Sequence, residues 1–468
     1  MSDVRARPIF AVAAIAAGAL AATALPGHNL GLNIALVWLA IVGAVWTGVH
    51  GALNRWDGAL LALGAVPVLL AIVRSASWVL FGELVVAFAA VVVGVARARE
   101  WTSIIMAPLR VFAKLHRGFI SVIHPLTQRV TVDWATWRPV LRASLLSAGL
   151  VLVFGGLFVS ADPAFASLTH RWLVPEVDLA LLPARVLVFA SVVAATGSIV
   201  LLSRTAQNVD GSPWARGSER LTFKLEPSEW KTGLVVLNLL FAAFVVVQVA
   251  VLFGGHTHVL ATTGLTYAEY AREGFFQLIA VSVLTLAVIA AVVRFGRYEH
   301  TRGWLRLLSG ALCALTLVIL VSAVTRMNLY QEAYGFTRLR LLVDLFIYWL
   351  GACFVLIMAA GLFWNAQWLP RALVLTTLVG VIGFGLSDPD ARIARRNVER
   401  FEITGDIDVT YLAGLSADAV PALLELDHPQ AGCVIQQILA RSNETESLWS
   451  FNLARRHARD LPRPPCTS

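Results

Sequence analysis

The stretch LTYAEYAREGFFQLIAVSVLTLAVIAAVV, Leu265 to Val293, sets a polar, aromatic opening directly against an unbroken apolar run. Thr266 and Glu269 have the spacing of a capping box, in which the Thr hydroxyl accepts from the backbone N–H three residues on and the Glu reaches back. This predicts a helix that begins at Thr266 and runs through Phe275 to Val293, with Tyr267, Glu269, Tyr270, Arg272 and Glu273 on its exposed first turns. The apolar part suits a bilayer, whose ~30 Å hydrocarbon core needs roughly 20 apolar residues per helix.

The same pattern recurs along the chain. Of 468 residues, 58% are hydrophobic and 14% charged, and the mean hydropathy is +0.74. Soluble domains carry about 25% charged residues. The apolar blocks predict an all-α, polytopic transmembrane helix bundle of about eleven spans, near 8–25, 32–49, 58–73, 77–95, 140–159, 179–202, 232–254, 274–293, 305–325, 341–364 and 368–386. Residues 1–386 form the bundle, and 387–468 a small helical extramembrane domain. The first span also has the shape of a secretory signal peptide, a basic start followed by an Ala-rich run. Cleavage there leaves the topology of the rest unchanged.

Basic residues orient the bundle, because short cytoplasmic loops carry the excess of Lys and Arg. With the N-terminus inside, the outer loops hold Arg74, Arg171, Arg272, Arg326, Arg338 and Arg340, and most other basic residues before the tail fall inside. The tail is then extracytoplasmic. The net charge of +8, from 37 Lys+Arg against 29 Asp+Glu, is accounted for by this loop bias, so nucleic acid is not an expected partner. The inner loop 96–139 contains PLRVFAKLHRGFISVIHP, with Leu109, Phe112, Leu115, Phe119 and Val122 at helical spacing and Arg110, Lys114 and Arg117 on the other face. That pattern fits an interfacial helix on an anionic lipid surface, and equally a loop helix packed on the bundle. In the tail, Ser387 or Asp388 caps a helix that has Pro389 in its first turn, Ser416 caps a second over Leu415–Leu426, and two amphipathic helices follow before a frayed, Pro-rich end.

Four polar segments fall on the outer side: SADPAF (160–165), LTYAEYARE (265–273), MNLYQEAYGFTRLR (327–340) and the start of the tail. Charged or polar residues inside spans, Glu83, Arg185 and Gln248, lie near the same level, as do Arg340 and Asp344. Intramembrane charges are costly and usually face the bundle and pair. Asp162, Tyr267, Glu269, Tyr270, Arg272, Tyr330, Arg338, Arg340 and Asp344 therefore outline a candidate outward-facing ligand pocket, and Glu83 pairs with Arg74. The competing reading is a network that docks the outer loops and the tail. His256-Thr-His258 lacks a defined third ligand, so no metal site is expected, nor any cofactor. Cys313 and Cys353 read as small core residues, and Cys433 and Cys466 can pair if the tail lies in an oxidising compartment.

SADPAF, Glu229–Trp230, LTYAEYAREGFFQL, MNLYQEAYGFTRLRL, DPDARIARRN and LSADAVPAL together resemble the bacterial membrane family called domain of unknown function 4173, over roughly residues 140–458. The resemblance implies a multi-span bacterial membrane protein and carries over no catalytic residue. Three functions fit: transport or envelope-linked ligand binding; an enzyme acting on lipid-linked substrate, with Glu269 or Asp162 as acid/base; or a structural or sensory module whose tail binds a partner. The first outer loop, PGHNLG, lacks the acid that many-span glycosyltransferases usually carry, which weighs against the enzyme.

Overall fold

The computed structural model describes residues 8–49, 51, 53–127, 181–205, 224–263, 275–298, 301–363, 366–441 and 448–466. The described residues are helical apart from turns and one isolated bridge, Leu225 to Gly296. Nine helices among them are long and apolar enough to cross a bilayer. The predicted span at 140–159 lies outside the described residues, and the first, α1 (Pro8–Ala24), is shorter than those nine.

The chain divides into two compact units. The first comprises residues 1–29, 36–52 and 110–204. It holds α1, most of α2 (Leu32–Val49), α7 (Leu115–Thr127) and α8 (Leu182–Thr205). Its helices meet through small residues. Ala11, Ala14, Ala17 and Ala21 of α1 are buried, and a methyl group added at Gly18 would lie 2.8 Å from Val193 of α8. In lipid there is little hydrophobic drive between helices, so close backbone approach and dispersion replace it. Gly118 of α7 sits against Gly197 of α8, and the Ser198 hydroxyl donates to the Lys114 carbonyl at 3.0 Å. That seating sharpens the loop prediction. The single expected helix is two, α6 (Trp101–Ala113) and α7, separated at Lys114. α7 is packed on the bundle, whereas α6 exposes Trp101, Ile105, Leu109 and Phe112 as one apolar stripe.

The second unit comprises residues 30–35, 53–109 and 205–468. α3 (Arg55–Leu63), α4 (Val66–Leu69) and a 3-10 turn to Ile72 pack against α5 (Ser77–Val95). A second group is centred on α11 (Arg302–Tyr334), which packs against α9 (Pro227–Thr263), α10 (Phe275–Phe295) and α12 (Arg338–Phe363). Their core includes Trp230, Leu234, Phe275, Leu312, Met327 and Phe354. The opposite faces expose Val236, Leu239, Val246, Leu284 and Phe363, as lipid contact requires. Buried hydroxyls of Ser282, Thr285 and Thr316 donate to carbonyls one turn back, so they present no unsatisfied group to the apolar interior. α13 (Leu369–Leu386) packs on both α5 and α12.

Two helices overrun their predicted spans. α9 continues to Thr263, so His256 and His258 lie in a helix rather than a loop. α11 runs 33 residues, about 50 Å at 1.5 Å each, and absorbs the whole of MNLYQEAY before Gly335 stops it at φ 82°. Glycine is needed there for the left-handed backbone and because Asn397 Oδ1 occupies the space of a Cβ.

The tail folds as α14 (Pro389–Thr404), α15 (Val409–Ala413), α16 (Val420–Leu423), α17 (Ala431–Arg441) and α18 (Leu453–Asp460), with 3-10 turns at Ala417–Ala419 and Leu448–Ser450. The helix predicted over Leu415–Leu426 is thus a turn and one short helix. Ile393, Leu412, Leu423, Ile435 and Ile438 make its core, which is continuous with Leu341 of α12. The Pro-rich end is held rather than frayed: Cys466 is joined to Cys433, and Gln436 donates to the Pro464 carbonyl at 3.1 Å.

Candidate functional site

Within the second unit, a cluster of charged side chains stands at the junction between span ends and tail: Arg74, Arg338, Asp388, Asp390 and Asp418. Asp388 is the turning point. Its backbone is left-handed at φ 54°, a conformation Asp tolerates better than most residues, and Pro389 then opens α14. Asp388 makes no side-chain cap, contrary to the sequence reading. Its carboxylate instead pairs with Arg74, at the turn before α5, and Arg74 also donates to the Leu386 carbonyl at 3.0 Å.

Asp390, in the first turn of α14, is fully buried. Its Oδ1 accepts from Trp78 Nε1 at 3.0 Å and Arg338 Nε at 3.0 Å, and its Oδ2 from an Arg338 terminal nitrogen at 2.5 Å and the Ser416 amide at 2.8 Å. Four charge-assisted bonds satisfy a carboxylate that burial would otherwise penalise heavily. Trp78 comes from α5, Arg338 from α12, and Ser416 from the tail, so this one carboxylate ties three segments together. The Arg338 guanidinium also lies over the Trp78 ring, 5.7 Å from its centre. A third acid, Asp418, accepts from the Ser75 amide at 2.8 Å and hydroxyl at 2.6 Å, and from the Ser416 hydroxyl at 2.7 Å.

Burial pushes the Asp388 carboxyl up to about 6, the Asp418 charge adds to the rise, and Arg74 opposes it. Burial likewise raises the Tyr411 phenol, whose oxygen accepts from the Arg338 amide at 2.7 Å. The cluster sets three carboxylates against two guanidiniums, so the neighbouring acids add to the rise that burial produces at Asp388.

Two further arginines cover the carbonyls left at the end of α11. Arg400 of α14 donates to Glu332 at 3.0 Å and Ala333 at 2.9 Å, and Arg340 to Tyr334 at 2.9 Å and to Gly335. Cations at a helix C-terminus also complement its dipole. Asn397 locks the turn between α11 and α12 by accepting from the Phe336 amide at 3.0 Å and donating to its carbonyl at 2.9 Å. On the other side, buried Asn452 donates to the Ala71 and Arg74 carbonyls, both at 2.8 Å.

Of the residues predicted to bind ligand, Arg338, Arg340, Tyr330 and Asp344 are described, and each has a structural partner. Arg340 stacks 4.3 Å from the Tyr330 ring centre, and Asp344 accepts from Gln331 at 2.6 Å. Asp162, Tyr267, Glu269, Tyr270 and Arg272 lie outside the described residues, as does the predicted helix start at Thr266. Arg185 belongs to α8 of the first unit, where its Nε has no hydrogen-bond partner. Glu83 is buried in α5, with Arg74 as the charge that acts on it. Gln248 accepts from Ser322 and from Arg326, both at 3.0 Å inside the bundle, so Arg326 is a buried helix residue rather than a loop residue. Asp390, Asp418, Ser75, Trp78, Asn397, Arg400 and Asn452 escaped notice as individual residues. Asp390, Asn397 and Asp418 nevertheless sit in DPDARIARRN and LSADAVPAL, two of the segments that carried the resemblance. Among the described residues, no group of three His, Cys, Asp or Glu is placed to hold a metal ion.

A family model described as "Domain of unknown function (DUF4153)" matches residues 58–426. This corrects the family read from the motifs, which pointed to 4173; the membrane character and the absence of an assigned activity carry over. No curated protein and no solved structure matches the chain.

Proposed function

The chain belongs to the DUF4153 family, matched from residue 58 to residue 426, and from the geometry of its site we propose that it is an inner-membrane protein of a bacterial cell whose tail is a docked extracytoplasmic module, built to sense or bind an envelope partner. The observation that carries this reading is Asp390, which joins α5, α12 and the tail through four hydrogen bonds. The cluster spends Arg338, Arg340 and Asp344 on bonds within the protein, which favours docking over a ligand pocket made from these residues. The Cys433–Cys466 bridge supports an oxidising, extracytoplasmic location for the tail.

Docking should depend on pH through Asp388. Its docked carboxyl titrates near 6 against an ordinary 3.8, so the docked state binds a proton more tightly. That contribution is full below about pH 4 and is lost as pH rises through 6, a change of about 2–3 kcal/mol. Spin labels on Ile403→Cys and Phe81→Cys, both exposed positions, report separation of the tail from α5 under urea. The midpoint should fall between about pH 4 and pH 7, and Asp388→Asn should flatten that part of the profile. A profile unchanged by Asp388→Asn removes the assignment.

We propose an anionic lipid as the partner of the basic segment. Lys114 is lowered by burial and then by the positive charges of Arg110 and Arg117, a concentration of like charge that an anionic headgroup relieves. The exposed stripe of α6 has the apolar side chains an interfacial helix lays into lipid. Native mass spectrometry with phosphatidylglycerol should show bound lipid that is lost when Arg110, Lys114 and Arg117 are all replaced by Gln. Retention of the lipid by that variant sinks the assignment.

A further inference from the structure

Glu83 is 2% exposed, six residues into a membrane-spanning helix and about 9 Å from its end. Its Oε1 is buried without a hydrogen-bond partner. The carboxyl lies against Gly385 in the last turn of α13, where any side chain would overlap Oε1. Trp78 and Phe384 close over the same junction with their rings edge to face, 5.7 Å apart. This is a poor setting for a bare carboxylate. It is desolvated, it has no donor, and it faces the negative end of a helix.

Beside it, Arg74 has two nitrogens engaged, on Asp388 and on the Leu386 carbonyl, while its Nε is buried and has no partner. A free acceptor on Glu83 and a free donor on Arg74 therefore stand at the same junction. We propose that Glu83 is a proton-binding site that controls tail docking: protonated, it leaves Arg74 to Asp388 and Leu386; deprotonated, it draws the guanidinium away and loosens the tail. The step is simple acid dissociation. The carboxyl O–H bond breaks, the electron pair stays on the carboxylate, and the proton passes to water at the span end. A lone carboxylate oxygen beside Gly385 and a Leu70 methyl offers no coordination shell for a metal cation, so the ligand is the proton.

The charged groups around Glu83 are few. α3 contributes Arg55 and Asp57, and Asp57 lies by Gly94 at the far end of α5. α4 contributes none, α13 contributes Arg371 at its opposite end, and the segment after α13 contributes Asp388 and Asp390. Arg74 is thus the group through which a charge on Glu83 reaches the tail. The inference rests on the docking reading, and the test separates the two.

Full-length protein in lipid nanodiscs is treated with dicyclohexylcarbodiimide, which reacts with protonated carboxyls in apolar surroundings, from about pH 5 to about pH 9. Peptide mass spectrometry should find the adduct on Glu83, decreasing as pH rises and absent in Glu83→Gln. The spin-label pair should separate at lower urea over the pH range in which the adduct disappears in the wild type, with that part of the dependence lost in Glu83→Gln, a close isostere. No adduct on Glu83 in folded protein at any pH, or identical profiles for wild type and Glu83→Gln over that range, overturns the proposal. If Asp390→Ala leaves the labels at their docked distance, the docking reading itself falls, and the Glu83 control falls with it whatever the adduct shows.

Discussion

Asp390→Ala should release the tail and cost about 3–5 kcal/mol, the penalty of breaking a buried ion pair by removing one partner. The Arg338 side chain is one-third exposed in the docked state, and Asp390 not at all. Removing the carboxylate strands the guanidinium in a junction that includes the Trp78 ring, and leaves the Trp78 indole and the Ser416 amide without their acceptor. Asp390→Asn keeps the shape and part of the hydrogen bonding but removes the charge, so it should cost less. Thermal unfolding in detergent, followed together with the Ile403–Phe81 label distance, distinguishes release of the tail from general unfolding. Release without loss of the bundle is the expected result. A tail that stays docked in Asp390→Ala, with unfolding unchanged, means that the hydrophobic contacts around Leu341 and Ile393 suffice and the charges are incidental.

The membrane helices were legible because their signal is local. The predicted 274–293, 341–364 and 368–386 correspond to α10, α12 and α13 within a few residues, since a long apolar run has few alternatives in lipid. Helix ends were less legible. QEAY at 331–334 contains good helix formers, so α11 continues past the apolar run until Gly335 reverses the backbone. The candidate site was legible by segment and not by atom. Arg338, Arg340 and Asp344 were picked out because charge beside a span is unusual. The long-range pairs were not, because Arg338 and Asp390 are 52 residues apart and Arg74 and Asp388 are 314 apart, and no spacing rule connects them. Asp388 shows the limit most clearly. Its position before Pro389 has the form of an N-cap, yet tertiary pairing with Arg74 takes the carboxylate and leaves the cap empty.

Gly118→Ala should be the most damaging small substitution in the first unit. A Cβ there would overlap the Ser198 hydroxyl, the Ala194 carbonyl and the Ser198 amide, and two of these three are backbone atoms that cannot rotate away. Helix α7 would have to move off α8, losing the bond from Ser198 to the Lys114 carbonyl and opening the interface around buried Val122 and Ile199. Overpacking of this kind costs about 1–3 kcal/mol, and backbone contacts push it to the upper end. Gly197→Ala should behave the same way, because its Cβ would overlap the Gly118 carbonyl. Gly43→Ala in α2 is the control: nothing lies within 4 Å of its Cβ, so the exchange should be neutral or slightly stabilising through helix propensity. Thermal midpoints of the three variants in detergent decide the matter. If Gly118→Ala and Gly43→Ala are equally stable, α7 is not seated on α8 through its glycine, and the basic cluster of Arg110, Lys114 and Arg117 is free to lie on the membrane surface as a mobile interfacial segment. If Gly118→Ala and Gly197→Ala are damaged and Gly43→Ala is not, the cluster is held against the bundle, and its anionic partner is a lipid bound at a fixed place rather than the leaflet at large.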